Sequence, residues 1–331
     1  LNIKCENMLD TLGEMSRTDL YSYLKEWEQL TPLPFYSIGE PELTKVVNKG
    51  GEEFFVLKVL VSNNSDYDGI IQMNVLQNGW WYQPMEDPRA RKKVEIAAHT
   101  SKEFVSVWEE QIRDVEINTM VSGNLPYMIR QSIGNVKQER NKIVKDTIYT
   151  LPESSLEMPG EVIVDNEDST LFVLSTPAVV GLLPKWLDKV EDTSFKYSGI
   201  SWWRAPLQWT ATTNAKYYGK YIRSAYVIKS GDGSQTATWK IPVPEAGQYE
   251  LYYHVFKDDE LRWNDRLQGE YHFRVAYDSE MEDAYINLRK ANEGWEQLGT
   301  YYFSADTVRV MLTDECKLRS VTADAVKIVK R

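Results

Sequence analysis

The sequence predicts a mainly β protein in which a short helical segment is followed by two β-sandwiches. Three observations support this prediction. An amphipathic helical pattern is confined to the start of the chain, and two successive sets of short β-forming runs, separated by turn residues, fill the rest. The 331 residues include 42% hydrophobic and 26% charged residues, as in ordinary globular domains, and this length favours two domains over one.

The helical segment covers residues 1–35, and we interpret it as the end of a preceding domain. From Leu20 to Trp27 a large apolar residue recurs every three or four positions, which places these residues on one helix face. Pro32 and Pro34 then end the helix, because proline cannot continue the backbone hydrogen-bond ladder.

The first sandwich is predicted at residues 36–150. Residues 53–61 are rich in β-forming residues, residues 63–69 have turn chemistry, and residues 70–76 follow as the expected partner strand. Short strands separated by turns are typical of a small Ig-like sandwich.

A linker is predicted between the two sandwiches. Residues 135–160 are polar and end in Pro159 and Gly160, so we interpret them as a connection, with the domain boundary at residues 151–161.

The second sandwich is predicted at residues 162–331. About eight strand-like runs occur here, the number that a jelly roll needs. Residues 180–222 are aromatic-rich without periodicity and predict a long loop, and residues 231–234 predict a hairpin turn.

Four motifs in this second region occur in order. They are the Asp-Asn pair at 165–166, the Gly-x-Tyr strand at 247–249, the Trp-x-x-Leu-Gly run at 295–303 and Ala-Asp-Ala-Val at 323–326. With these motifs, residues 162–331 resemble the golvesin C-terminal-like domain, which is also found attached to proteins labelled xanthan lyase.

This resemblance implies a galactose-binding-like β-sandwich of the kind appended to bacterial hydrolases and surface proteins. We therefore expect a non-catalytic accessory region of a secreted, periplasmic or cell-surface bacterial protein, which binds carbohydrate or docks onto a catalytic domain. Two alternatives stay open: a structural spacer or assembly module, and a polysaccharide lyase or hydrolase with a loop-borne site. Trp295 is expected in the core, and Asp324 is expected to cap or bridge at the sandwich edge.

Residues 1–125 carry a second resemblance. The Asp-Leu-x-x-aromatic-x-x-x-Trp pattern of residues 19–27, followed by two prolines and a strand ending near Asn63, is similar to the C-terminal end of gluzincin aminopeptidase-like proteins. The His-Glu-x-x-His motif of that family is absent from this sequence, so any zinc chemistry would lie outside these residues.

Carbohydrate binding would need aromatic faces for the sugar ring and nearby polar groups for its hydroxyls. Two short segments have this composition, and they provide the candidate ligand-binding residues: Trp202, Trp203, Arg204, Trp263, Asn264, Asp265 and Arg266. The alternative is that these tryptophans fix the long loops onto the core.

A structural Ca²⁺ is the one cofactor that the sequence suggests. Hard cations select carboxylate and amide oxygens, and Asp165, Asn166 and Asp168 place such oxygens in one short loop. The three histidines are better explained by structural roles, although His254 and His272 lie on strands predicted to be neighbours.

The charge of the chain limits its partners. The formal net charge is −11, so we expect repulsion from nucleic-acid phosphates. No apolar run reaches the roughly 18 residues of a membrane span, and the lack of a heptad repeat favours a monomer.

The two cysteines, Cys5 and Cys316, could form a disulfide or stay unpaired. Because the chain begins at Leu1, we expect it to be a fragment of a longer protein.

Overall fold

The structure is a computed structural model. It describes residues 33–76, 86–134, 136–140, 144–153, 156, 160–175, 196–200, 204–257 and 269–331. The predicted helix within residues 1–32 lies outside the described residues. Those described are almost entirely β, with a single 3-10 turn at Pro88–Ala90 and no α-helix among them, so the prediction of a mainly β chain is confirmed. Among the described residues, no helix is long and apolar enough to cross a bilayer.

The strands of the first unit lie between residues 36 and 152. They are β1 Tyr36–Ile38, β2 Glu42–Val47, β3 Glu53–Asn63, β4 Gly69–Leu76, β5 Arg91–Ile96, β6 Thr100–Trp108, β7 Asp114–Asn118, β8 Met128–Ser132, β9 Val136–Arg140 and β10 Thr147–Pro152. Sheet 1 has the order β10-β6-β3-β2-β9, with β1 also on β3, and sheet 2 has the order β5-β4-β7-β8.

Strands β3 and β4 belong to different sheets, so the prediction that they pair with each other is wrong. β3 pairs with β2 and β6, whereas β4 pairs with β5 and β7. The turn between them carries the chain from one sheet to the other, and Leu57 and Val59 of β3 join Ile71 and Met73 of β4 in one buried cluster. Burying this apolar surface between two sheets is the main stabilising contribution to the unit.

Two strands lie within residues 135–160, which the sequence had suggested to be a linker. β9 pairs in parallel with β2, and β10 pairs antiparallel with β6. Both strands lie at the two ends of sheet 1, and their side chains are mostly exposed. An edge strand without a buried face has no hydrophobic alternation, which is why the sequence pattern missed them.

His99 connects three parts of the first unit. It has a φ of 53° in the turn before β6. Its Nδ1 lies 2.7 Å from a carboxylate oxygen of Glu153 and its Nε2 lies 2.8 Å from one of Asp66. Since carboxylates only accept hydrogen bonds, both contacts need the doubly protonated imidazolium. The hydrogen bonds to Asp66 and Glu153 raise the pKa of His99 above its ordinary value.

This geometry predicts a pH-dependent contribution of His99 to stability. A raised pKa in the folded state means that the contribution is complete below the unfolded pKa of about 6.5. It is lost as the pH rises through the folded pKa. We expect the urea midpoint of the wild type to exceed that of His99→Asn, which tolerates the positive φ, by more at about pH 6 than at about pH 9. A difference that grows with pH would contradict this assignment.

The strands of the second unit lie between residues 161 and 330. They are β11 Glu161–Val164, β12 Phe172–Leu174, β13 Thr210–Thr213, β14 Ser224–Lys229, β15 Thr236–Pro242, β16 Gly247–Val255, β17 Glu270–Tyr277, β18 Glu280–Asn287, β19 Gly294–Phe303, β20 Thr307–Thr313, β21 Ser320–Ala323 and β22 Val326–Lys330. They form sheet 3 (β11-β22-β16-β19), sheet 4 (β12-β15-β20-β17-β18) and sheet 5 (β13-β14-β21).

The core of the second unit lies between sheets 3 and 4. Trp239 of β15 is fully buried, and its ring centroid lies 6.1 Å from that of Tyr253 in β16. Tyr253 in turn contacts Phe273 of β17 at 5.0 Å. Aromatic pairs at these separations stabilise a core beyond the area that they bury.

The turn at residues 231–234 is not a hairpin. It joins β14 in sheet 5 to β15 in sheet 4, so its flanking strands do not pair. The buried Asp314 holds the turn by accepting hydrogen bonds from the backbone N–H groups of Gly233 at 2.8 Å and Gln235 at 3.1 Å. Gly233 has a φ of 89°, which glycine adopts without strain.

Candidate functional site

An open cleft of about 420 Å³ lies beside the outer face of sheet 3. Strand β11 contributes Glu161 and Ile163 to its lining. The outward direction of these two residues follows from the alternation of β11, in which Val164 points into the core. Phe35, from the segment that precedes β1, also lines the cleft. The cleft therefore lies where the two units meet.

A tight turn after β11 forms one end of the cleft. The backbone N–H of Asp168 donates to the carbonyl of Asp165 at 3.1 Å, and the N–H of Asn166 donates to Oδ1 of Asp165 at 2.7 Å. The N–H of Asp165 donates to Oδ2 of Asp168 at 3.1 Å. Burial and the nearby Asp324 carboxylate raise the pKa of Asp165 well above its usual value. The turn thus holds two carboxylates in a fixed position.

Glu167 anchors this turn to its surroundings. It accepts hydrogen bonds from Ser224 and from Tyr197, the latter at 3.1 Å, and forms an ion pair with Lys196. The buried amide of Asn166 lies 2.7 Å from Oγ of the same Ser224. Because these partners come from separate segments, the network fixes the turn relative to β14.

A loop at residues 218–222 forms the wall of the cleft. Tyr218, Lys220, Tyr221 and Ile222 line it, and the Lys220 ammonium lies 5.6 Å from the centroid of the Tyr221 ring. Gly219, which lies between Tyr218 and Lys220 in the sequence, has a φ of 149°. The wall therefore presents two tyrosine side chains and one cation.

The buried carboxylate of Asp324 holds this wall in place. It accepts hydrogen bonds from the backbone N–H of Tyr218 at 3.1 and 3.2 Å, and it lies 2.8 Å from Nδ1 of His254. Burial raises the pKa of Asp324, while His254 and the Tyr218 N–H oppose that shift. Burial also lowers the pKa of the neighbouring Arg223 to about 10, an effect that Asp324 opposes. Asp324 is completely buried, so it positions the wall and does not reach a ligand.

Aromatic side chains continue from the wall across the outer face of sheet 3. The ring of Trp295 lies 5.0 Å from that of Tyr218 and 5.1 Å from that of His254. The ammonium of Lys327 lies 4.9 Å from the Trp295 ring and forms a 2.8 Å ion pair with Glu161. Trp295 is half-buried on this outer face, so the prediction that it belongs to the core is wrong.

The structure tests few of the predicted ligand-binding residues. Trp202, Trp203 and residues 263–266 lie outside the described residues. Arg204 is exposed and precedes Pro206, whose carbonyl accepts a hydrogen bond from the N–H of Lys229 at the end of β14. β16 and β17 belong to different sheets, so the prediction that His254 and His272 lie on neighbouring strands is wrong.

The residues predicted to bind calcium do lie together, in the turn at the end of the cleft. Within the described ranges, however, no group of three or more His, Cys, Asp or Glu side chains is placed to hold a metal ion. Calcium binding by Asp165, Asn166 and Asp168 stays a prediction. Cys316 has a free thiol, and burial raises its pKa; Cys5 lies outside the described residues.

Sequence reasoning missed Tyr218 and His254 as parts of this site. A signal for His254 was present: it follows Tyr252 with period two on a strand whose alternate residues, Leu251 and Tyr253, are apolar and buried. No comparable signal existed for Tyr218, because it lies in a segment without periodicity.

A seam joins the wall of the cleft to the first unit. Leu125 and Ile222 form an isolated parallel bridge, in which Leu125 donates to the carbonyl of Tyr221 at 3.0 Å and accepts from the N–H of Arg223 at 2.7 Å. The buried Asn124 side chain exchanges two hydrogen bonds with the backbone of Tyr36. The seam thus connects the wall to β1.

Residues 202–330 match the family model of the Golvesin C-terminal domain. The resemblance found in the sequence is therefore confirmed for these residues. Strand β11 pairs with β22 and strand β12 pairs with β15. Both β11 and β12 precede the matched range, so the sheets of this unit include residues on the N-terminal side of the match. No curated protein sequence matches the chain.

Two solved structures are similar to the chain over most of its length. A xanthan lyase from Paenibacillus has 17% sequence identity, a TM-score of 0.36 and an overlap of 91% of this chain with 27% of its own. A β-glucuronidase from Bacteroides uniformis has 10% identity, a TM-score of 0.23 and an overlap of 94% of this chain with 32% of its own. The chain thus spans about a quarter to a third of the length of these proteins.

Proposed function

We propose that the Golvesin C-terminal domain of this chain is a non-catalytic accessory module of a secreted or surface carbohydrate-active protein, and that the cleft beside sheet 3 binds a glycan. The observation that supports this most is the combination of aromatic side chains and fixed polar groups in one cleft. A volume of about 420 Å³ lies within the range of small-molecule sites, roughly 300–1,000 Å³.

The aromatic lining suits a sugar ring. Phe35, Tyr218 and Tyr221 line the cleft together, and the C–H face of a pyranose packs on such rings. The Asp324 carboxylate fixes the backbone of Tyr218, so little ordering of the wall is needed on binding. The carboxylates of the 165–168 turn can accept hydrogen bonds from sugar hydroxyls.

The proposed architecture is a pair of sandwiches, an Ig-like one followed by a galactose-binding-like one. In support of this, each unit has a buried cluster to which residues of two facing sheets contribute, as sandwich layers do. In the second unit the cleft then lies on the outer face of one layer, where strand alternation turns one set of side chains away from the core.

A second candidate function is docking between domains. The bridge between Leu125 and Ile222, together with the Phe35 and Tyr221 rings at a centroid separation of 5.3 Å, favours a module that sets the position of its neighbour. In that case the cleft would be a by-product of the seam and would bind no glycan.

Glycan binding predicts a measurable effect of the wall. A glycan-array screen of the purified chain should give hits that weaken about tenfold in Tyr218→Ala, because one sugar–ring stacking contact contributes about 1.4 kcal/mol. Tyr302→Ala removes a tyrosine that is 61% exposed outside the cleft and should leave binding unchanged.

Two further variants separate the sites. Trp202→Ala and Trp263→Ala test the residues that the sequence suggested, and a loss of binding confined to them would move the site away from the cleft.

The screen is run with calcium and with EDTA, so a hit lost in EDTA would support the predicted Ca²⁺ at Asp165, Asn166 and Asp168. No hit in either condition would favour docking, and turnover of a glycan that Asp165→Asn abolishes would establish an enzyme instead.

A further inference from the structure

The outer face of sheet 4 carries three basic side chains, one on each of its central strands β15, β20 and β17: Lys240, Arg309 and Arg274. The residue that follows each of them is buried in the core: Ile241, Val310 and Val275. Because successive side chains of a strand point to opposite faces, the three basic side chains share the face that is turned away from the core. They lie together in a chain whose formal net charge is −11.

Two of these cations face each other without a balancing carboxylate. Lys240 and Arg309 are directly opposite in the register of β15 and β20. Cβ atoms of such a pair lie about 4.5–5.5 Å apart, and like charges at these positions destabilise a sheet. Among the residues that the structure describes, no carboxylate lies within ion-pair distance of either cation. A bound anion would relieve this repulsion, and the guanidinium of Arg309 has the planar donor geometry that matches an acid group.

An exposed aromatic ring lies on the same face. Tyr285 of β18 is 56% exposed, and its ring stacks on that of His272 with the centroids 4.9 Å apart and an angle of 10° between the planes. Nε2 of His272 lies 2.8 Å from a carboxylate oxygen of Asp283, and Nδ1 lies 3.2 Å from one of Glu315. The imidazole is thus held at both nitrogens and supports one face of the tyrosine ring. The exposure of Tyr285 leaves the other face for a sugar ring.

Arg274 connects the aromatic ring to the basic pair. It is a diagonal neighbour of Tyr285 in the register of β17 and β18, and of Arg309 in that of β17 and β20. Its Nε lies 3.9 Å from a carboxylate oxygen of Asp283, so its own charge is partly balanced. The path from Tyr285 on β18 to Lys240 on β15 crosses three strand spacings, roughly 14 Å in all. A path of this length fits an oligosaccharide better than a single sugar.

We infer that the outer face of sheet 4 is a second binding surface, whose ligand is an acidic glycan. A carboxylate or sulfate group of the glycan binds between Lys240 and Arg309, while a sugar ring further along the glycan packs on Tyr285. The two carboxylates that hold the imidazole lie at the Tyr285 end, so this end favours a ring without an acid group. The inference does not depend on the cleft, because the cleft lies beside sheet 3 on the other side of the core.

The test is isothermal titration calorimetry of the whole chain with three hexasaccharides: oligogalacturonate, sulfated maltohexaose and neutral maltohexaose. The buffer contains EDTA, so that calcium cannot bridge the glycan to the protein, and about 50 mM salt, which screens exposed charges only weakly. We expect an acidic oligomer to bind at least about tenfold more tightly than the neutral one, because its hydrogen bonds to the cations are charge-assisted. The stronger of the two acidic oligomers identifies the acid group, and its advantage should fall as salt is added.

Variants locate the binding surface. Lys240→Gln with Arg309→Gln should reduce the ratio between the acidic and the neutral affinities to about one. Tyr285→Ala should weaken binding of the acidic oligomer about tenfold, whereas Tyr285→Phe keeps the ring and should bind like the wild type. The matched control is Arg91→Gln with Lys93→Gln, which removes the same charge from two exposed residues of β5 and should keep the ratio.

The outcomes separate this surface from the cleft. Equal affinities for the three oligomers, or a preference that the control double variant also removes, would overturn the inference. Acidic binding that is lost in Tyr218→Ala but kept without Lys240 and Arg309 would place the acidic glycan in the cleft and would also overturn it. Failure of both acidic oligomers to bind would overturn it too, but would not affect the proposed function of the cleft, which the array screen of Tyr218→Ala tests.

Discussion

Asp324→Ala is expected to lower the free energy of unfolding by about 3–5 kcal/mol, because it removes the charge that compensates the buried Arg223 and the acceptor of buried hydrogen bonds. The completely buried carboxylate accepts from the backbone N–H of Tyr218 and contacts His254 Nδ1. Without this carboxylate, the Tyr218 N–H and the His254 ring would lose their hydrogen-bond acceptor in a site that excludes water. The neighbouring Arg223 would lose the negative charge that compensates its own. Urea unfolding followed by circular dichroism measures the loss.

Two further variants make this expectation specific. Asp324→Asn keeps an oxygen that can accept from Tyr218, so it should cost less, about 1–3 kcal/mol. Asp306→Ala removes an exposed carboxylate and should stay within about 0.5 kcal/mol of the wild type. If Asp324→Ala were as mild as Asp306→Ala, Asp324 would not support the wall of the cleft.

Gly219→Ala should disrupt the wall itself, with a loss of about 2–3 kcal/mol in stability. A Cβ at this position would lie 1.9 Å from the carbonyl oxygen of Ile222, and the φ of 149° disfavours any residue with a side chain. The atom in the way belongs to the backbone, so relief requires the whole loop to move. Glycan binding should weaken together with stability, because Tyr218 and Tyr221 flank this glycine.

Gly134→Ala provides the matched control for this change. A Cβ at Gly134 meets no atom within 4 Å, and its φ is not in the positive region. It should therefore be neutral or slightly stabilising, by up to about 1 kcal/mol. Equal effects of the two substitutions on thermal unfolding would show that the contact with Ile222 does not constrain the loop.

The sequence predicted the strands that have one buried face. β16 alternates Leu251, Tyr253 and Val255 inward with polar residues outward, and this pattern is visible without a structure. It could not predict which strands pair, because sheet membership depends on how the chain turns between layers. β3 and β4 therefore looked like a hairpin, although each pairs in a different sheet.

The candidate site was predictable only in part. The acidic turn after β11 was identified from its oxygen ligands, and the structure places it at a cleft. Tyr218 and Asp324 are 106 positions apart in sequence, and only the fold brings them into hydrogen-bond contact. Trp295 was misjudged because aromatic content alone does not say which face of a strand a residue occupies.

The seam between the two units affects how the protein can be divided. Phe35 is part of the cleft lining, and Asn124 and Leu125 hold the Tyr221 segment from the side of the first unit. A shortened protein that begins near residue 160 would keep sheets 3, 4 and 5 but lose one aromatic side chain and the outer support of the wall. The smallest piece that keeps the complete lining of the cleft is therefore larger than the family match and includes residues from both β units.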